Sequence, residues 1–298
     1  MKWEGERESS NVEDGRGGGG FPIGGRGASL GCGGLIILLL VSWFTGINPL
    51  SLLNMVQGNA PVSTNSPSAP VPSGQRAPSA DGSRAGATGD QLGRFASVVL
   101  ASTEDVWKEQ FSKMGKTYTP PKLHLFTQAT RSECGIASMA TGPFYCQLDR
   151  KVYLDLNFFQ QLSQRYGAPG DFADAYVIAH EVGHHVQNLL GVFDEMGGGR
   201  GRGANSNSVR IELQADCFAG VWGFHANQDR KVIDPGDFEE GLRAAGAIGD
   251  DRLQRRSEGT VSPESFTHGS SEDRSNWLRR GLEGGDPGRC NTFQRQLQ

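Results

Sequence analysis

From Phe172 to Leu190 the apolar residues recur every three or four positions: Phe172, Tyr176, Ala179, Gly183, Val186 and Leu190. That period lays one apolar stripe along a helix. Asp171 can cap its start, Asp174 falls in its first turn, and Gly191 is a natural stop. A second run, Val209 to Asn227, also reads as a helix, with Asn207 or Ser208 as N-cap. Ile211, Leu213, Ala215, Phe218, Val221 and Trp222 make it apolar enough to be largely buried. Asp234-Pro235 opens a third helix through about Gln254, and Ser271 to Arg280 is a last one around Trp277. Lys151 to Leu156 alternates and is rich in strand formers, and Lys122 to Phe126 is similar. Between them, Cys134 to Cys146 is a small-residue loop or a hairpin. A short mixed sheet followed by helices is an α+β arrangement.

The chain divides by composition before this part begins. Residues 1–33 are polar and glycine-rich, which predicts a disordered tail. Residues 34–56 carry no charge and are strongly apolar, enough to span a bilayer, which takes about 20 residues. We read them as one transmembrane helix; a cleavable signal and a buried core helix are the competing readings. Lys2, Arg7, Arg16 and Arg26 precede the stretch and the first basic residue after it is Arg76. The positive-inside tendency then puts the N-terminus in the cytoplasm and the rest outside the cytoplasmic (inner) membrane, in the periplasm. Residues 57–92 are a Pro/Ser/Gly-rich linker. Apolar residues at helical spacing, Val106, Trp107 and Phe111 among them, open a folded domain over 93–298.

The chemistry sits on the two best-marked helices. His180-Glu181-Val182-Gly183-His184 puts two imidazoles at i and i+4, on one helical face, where they can grip one metal ion. Glu181 lies one step round, within reach of a water on that metal. Glu212 and Asp216 share a face of the second helix. A carboxylate is a known third ligand beside two histidines at catalytic zinc, so Glu212 is the candidate ligand. Asp216, one turn on, is placed to accept from the free ring nitrogen of a ligand histidine and fix its tautomer. Two acids on a solvated face is the bland alternative, and buried carboxylates want a cation. His185 points away from the ligand face, and His124 reads as a satisfied core residue inside an apolar strand.

His180 to Gln187 (HEVGHHVQ) and Glu212 to Trp222 (ELQADCFAGVW) resemble the bacterial family called putative neutral zinc metallopeptidases. The likeness extends to Met1-Lys2-Trp3-Glu4-Gly5, Asn11 to Asp14, Gly142 to Cys146, Gly249 to Gln254 and Phe266 to Ser270. It implies a zincin-like metallopeptidase domain, with an active-site helix, a helix bearing the Glu ligand, and Zn2+ as cofactor. The run Met196 to Asn207 departs from it, being Gly/Arg/Asn/Ser where a longer helical connection is expected.

The implied activity is hydrolysis of peptide bonds in a protein or peptide substrate by a zinc-activated water, with Glu181 as general base. A second oxyanion donor is expected, the candidates being His268, His225, Arg274 and Tyr153, with His268 preferred among them for its polar, glycine-hinged loop and for the resemblance; a purely structural loop histidine is the competing reading. A non-catalytic envelope scaffold with a retained zinc site is the alternative, and a zinc amidase on cell-wall peptides shares the chemistry. Glu181 separates the first two, since a structural site has no use for a carboxylate beside the metal. Cys134, Cys146, Cys217 and Cys290 allow three pairings, of which 134–146 and 217–290 are the natural ones in an oxidising compartment. The net charge of −4 without a basic patch gives no sign of nucleic acid, and nothing in the sequence speaks to oligomeric state.

Overall fold

The alternating runs at 122–126 and 151–155 pair with each other in the computed structural model, which describes residues 1–16, 90–138, 141–199 and 201–293. Strands β2 (Lys122–Phe126) and β6 (Lys151–Asp155) are parallel, Leu123 opposite Val152 and Leu125 opposite Leu154. All four of these side chains are buried. β1 (Val12–Asp14) runs parallel along the far side of β2, and β5 (Phe144–Cys146) lies antiparallel to β6, giving the order β1-β2-β6-β5. A separate hairpin, β3 (Ala129–Ser132) and β4 (Gly135–Ser138), carries Cys134 at its turn, and a disulfide to Cys146 staples it to β5.

Helix α1 (Gln91–Lys113) starts at Asp90, whose carboxylate accepts from the Gly93 amide. α2 (Asn157–Gln164) follows the sheet, and α3 (Asp171–Leu190) ends on Gly191 at φ 80°, the left-handed cap that glycine adopts without strain. After the short α4 (Val192–Glu195), α5 (Asn207–Arg230) is capped by the Ser206 hydroxyl, which accepts from Val209 N. α6 (Asp237–Ala247), α7 (Asp250–Ser257) and α8 (Ser271–Gly284) complete the fold. α3 packs against α1, α5 and α6, so the helix bearing the histidines runs through the core. Phe172, Tyr176 and Ile178 are buried along it, with Trp107 and Trp222 from its neighbours.

Three expectations need correction. The third helix is two: α6 stops at Ala247 and α7 starts at Asp250, with Gly249 extended between them (φ −69°, ψ 145°) and so close to the Ser271 backbone that a side chain there would clash. A disordered tail over 1–33 does not hold for residues 1–16. Trp3 is buried edge-on against Phe95, the Lys2 amide donates to Val232 O, and the Met1 amine meets Asp237. Ser9 and Asn11 both donate to Glu104, and β1 follows. Average composition hid a segment whose partners lie far along the chain.

This bears on topology. With β1 in the sheet, residues 1–16 and 90–293 lie on the same side of any membrane, so a single crossing with the N-terminus inside and the domain outside does not fit. The stretch 34–56, and nearly all of the linker, lie outside the described residues, among which no helix is long and apolar enough to cross a membrane.

Candidate active site

Gly183 lets α3 and α5 meet. A methyl group there would lie 2.9 Å from the Ala215 carbonyl oxygen and 3.1 Å from its Cα, so only a residue without a side chain admits this crossing. On either side of it, His180 and His184 from α3 face Glu212 from α5. Donor atoms of the three lie within 4.8 Å of one another, the one such group among the described residues. His180 Nε2 is 3.1 Å from one Glu212 oxygen and His184 Nε2 is 3.5 Å from the other.

The far ring nitrogens fix what the near ones can do. His180 Nδ1 lies 2.8 Å from Asp216 Oδ1, and His184 Nδ1 lies 2.9 Å from Gln187 Oε1. An Nδ1–H donating to each oxygen leaves both Nε2 atoms as bare lone pairs pointed at a carboxylate. Lone pairs facing lone pairs in a buried place call for a cation between them. The donors, two imidazoles and a carboxylate, are a zinc set. The same demand shows in the titration. Although burial pulls the His180 imidazole down, the Asp216 charge and the hydrogen bonds to Asp216 and Glu212 lift it to about 10. Against its own burial, Glu212 is held well below the usual carboxylate range by His184 and His180.

Asp216 is fully buried and fully satisfied. Its Oδ1 accepts from Tyr176 Oη at 2.6 Å as well as from His180, and Arg274 covers both of its oxygens. Burial would raise this carboxyl, but the Arg274 and His180 charges bring it below its ordinary value. The Arg274 guanidinium, itself buried, thus neutralises Asp216 behind the ligands.

Glu181 lines the same cleft, which encloses about 480 Å³, and its carboxyl is raised above the ordinary value by burial, against the pull of the two histidines. A base held there keeps affinity for the proton it takes. His268 also lines the cleft. Asp250, at the start of α7, gathers the loop around it: its Oδ2 accepts the backbone amides of Thr267, His268 and Gly269, and its Oδ1 lies 3.2 Å from His268 Nδ1. The bond to Asp250 raises the His268 imidazole, which is exposed at the cleft mouth, above its usual value against a partial loss of solvation. Its Nε2 is the ring nitrogen left for the cleft.

Of the other oxyanion candidates, His225 bonds the Gly285 carbonyl and Tyr153 donates to Asp149; neither lines the cleft. Arg274 reaches it, but its nitrogens are engaged with Asp216 and Tyr176. His124 is half-buried and partnered, lying 3.3 Å from Thr130 Oγ1. His185 is buried on the opposite face of α3, donating from Nε2 to Thr119 O and accepting from Tyr145 Oη at Nδ1, and burial brings it down to about 4. The glycine-rich run is in part pinned: Gly203 N donates to Phe266 O and Ala204 N to Pro263 O. Sequence reasoning missed Gln187, Asp250 and the neutralising role of Arg274.

A model of the family described as "Putative neutral zinc metallopeptidase" matches residues 1–293. The chain belongs to this family. The uncharacterized protein YpfJ of Escherichia coli K12 is 47% identical over the full length of both chains. The uncharacterized protein Mb2605 of Mycobacterium bovis is 41% identical over 69% of this chain and 73% of its own. No solved structure matches. Membership in the zinc metallopeptidase family agrees with the donor set, and the match to its model begins at residue 1, where β1 and Trp3 join the domain.

Proposed function

We propose that the protein is a zinc-dependent peptidase that hydrolyses peptide bonds in proteins or peptides. The observation that carries this is Glu181, a buried carboxyl with raised proton affinity beside a three-donor site that leaves a coordination position open. A zinc ion held by His180, His184 and Glu212 would supply Lewis acidity to water and to a scissile carbonyl. Glu181 takes the proton of the attacking water at its carboxylate and returns it to the leaving amine. His268, oriented by Asp250, donates from Nε2 to the oxygen that gains charge, and is a catalytic residue in this reading. Asp216 holds the His180 ring. β5, the sheet's edge strand beside the cleft, offers backbone groups to an extended substrate.

The two disulfides support an oxidising compartment outside the cytoplasm. The stretch 34–56 is then the element that would hold the protein at a membrane, with both of its flanks on that side. The test uses the full chain and Glu181→Gln, with zinc content and hydrolysis of an unfolded protein and a mixed peptide library as readouts. The expected outcome is about one zinc per chain in both, with hydrolysis reduced ~100- to 10,000-fold in the variant. Equal zinc with no cleavage by the wild type would sink the peptidase reading in favour of a scaffold.

A further inference from the structure

Behind His184 a line of three hydrogen bonds runs out of the candidate site to the C-terminal segment. Gln187 Oε1 faces His184 Nδ1 at 2.9 Å. Gln187 Nε2 donates to Ile211 O at 2.7 Å and to Gln214 Oε1 at 3.0 Å, and Gln214 Nε2 donates to Cys290 O at 3.1 Å. Both glutamines are buried. The direction of the line is not free. The carbonyls of Ile211 and Cys290 only accept, so each glutamine must present nitrogen to them. The Gln187 oxygen is then forced toward His184, and the ring must carry its proton on Nδ1. Cys290 O stays in place because its side chain is bonded to Cys217, on the same helix as Glu212, and because Thr292 Oγ1 donates to Arg210 O just beyond.

We propose that Gln187 is a positioning residue for His184, and that its orientation is set by the C-terminal segment tethered through Cys217–Cys290. This rests on the reading of His184 as a metal ligand. The neutral amide does for His184 what Asp216 does for His180, without adding charge. Asp216 is offset by Arg274, whereas among the described residues the hydrogen-bond partners of Gln187 are His184, Ile211 O and Gln214, none of them a Lys or Arg, so a carboxylate at 187 would lack the compensation that Asp216 has.

The tautomer of His184 can be read from the nitrogen spectrum of the metal-free full chain, and zinc affinity by competition with a chelator. In the wild type we expect His184 as the Nδ1–H form. Gln187→Met keeps the volume and loses the bonds; zinc affinity should fall ~10- to 100-fold and the ring should become a mixture of tautomers. Gln214→Met, at a side chain whose hydrogen bonds go to Gln187 and Cys290 O and not to a ligand, should move the tautomer in the same direction with a smaller loss of affinity. So should the double change Cys217→Ala with Cys290→Ala. Gln214→Met also keeps the test in force if Gln187→Met fails to fold. A folded Gln187→Met or Gln214→Met chain in which His184 stays Nδ1–H and zinc affinity is unchanged overturns the proposal. The nitrogen spectrum decides the matter even if the wild type takes up no zinc, an outcome that would sink the site reading alone.

Discussion

Arg274 clasps Asp216 with two nitrogens, Nε on Oδ2 at 2.9 Å and Nη2 on Oδ1 at 3.0 Å, in a place closed to water. Breaking a buried pair from one side leaves the other charge uncompensated, which costs about 3–5 kcal/mol. Arg274→Met should therefore lower stability by that order in denaturant unfolding. The His180 ring also loses the fixed position of its acceptor, so zinc affinity should fall ~10- to 100-fold in the same preparation.

Gly183→Ala tests the helix crossing. The added methyl meets the Ala215 backbone, which cannot swing aside as a side chain would. Overpacking of this kind costs about 1–3 kcal/mol, and the relief available is to part α3 from α5, which separates the two histidines from Glu212. Calorimetry should show a lower Tm, and zinc titration a weaker site. A variant with unchanged zinc affinity would mean that the helices tolerate separation.

Asp174 gives a pH dependence away from the ligands. Burial, with Asp171 and Glu240 nearby, raises its carboxyl from 3.8 to about 7. A carboxyl whose folded-state pKa lies above its unfolded value binds more protons folded than unfolded. Its contribution is thus fully present below the unfolded value and is lost as pH rises through about 7. Asp174→Asn should remove that loss: its Tm should gain on the wild type between pH 5 and pH 8, with the difference growing as pH rises.

The first sixteen residues are structural. Trp3→Ala empties a buried site against Phe95 and should cost about 3–5 kcal/mol in urea unfolding. A chain begun at residue 93 lacks β1 as well, and leaves the β2 edge unpaired. It should be less soluble than the full chain, since an open strand edge is a template for association; equal solubility and stability would show that β1 is dispensable.

What the sequence disclosed was local. The i, i+4 pairs His180/His184 and Glu212/Asp216 are set by one helix each, so the 3.6-residue period was enough to place them on the right faces. β2 and the helices α3 and α5 followed from alternation and the helical period, whereas the expected N-caps did not hold: α3 starts from Gly170 without a side-chain cap and α5 from Ser206. What stayed hidden depended on a third element. Gln187 lies one turn beyond His184 and reads as an ordinary polar position until Gln214 and Cys290 are brought behind it. Asp250 reads as an acid in a first turn, and only the arrival of Thr267 to Gly269 makes it the anchor of His268. Gly249, extended between α6 and α7, packs against Ser271 from far along the chain, a contact that no local pattern announces. α2 escaped prediction altogether, its start being fixed by Asp155, whose carboxylate accepts from the Asn157 amide at the end of β6.

The pairing of Val12 with Leu123 also sets a clock. At about 5–20 residues per second, the roughly one hundred residues between them take on the order of 5–20 s to synthesise. Through that interval the first strand has been made and its partner does not yet exist. The apolar stretch 34–56 emerges inside the same interval, so whatever receives it does so before the sheet can close. The order of synthesis, more than the finished fold, decides which encounters that stretch makes first.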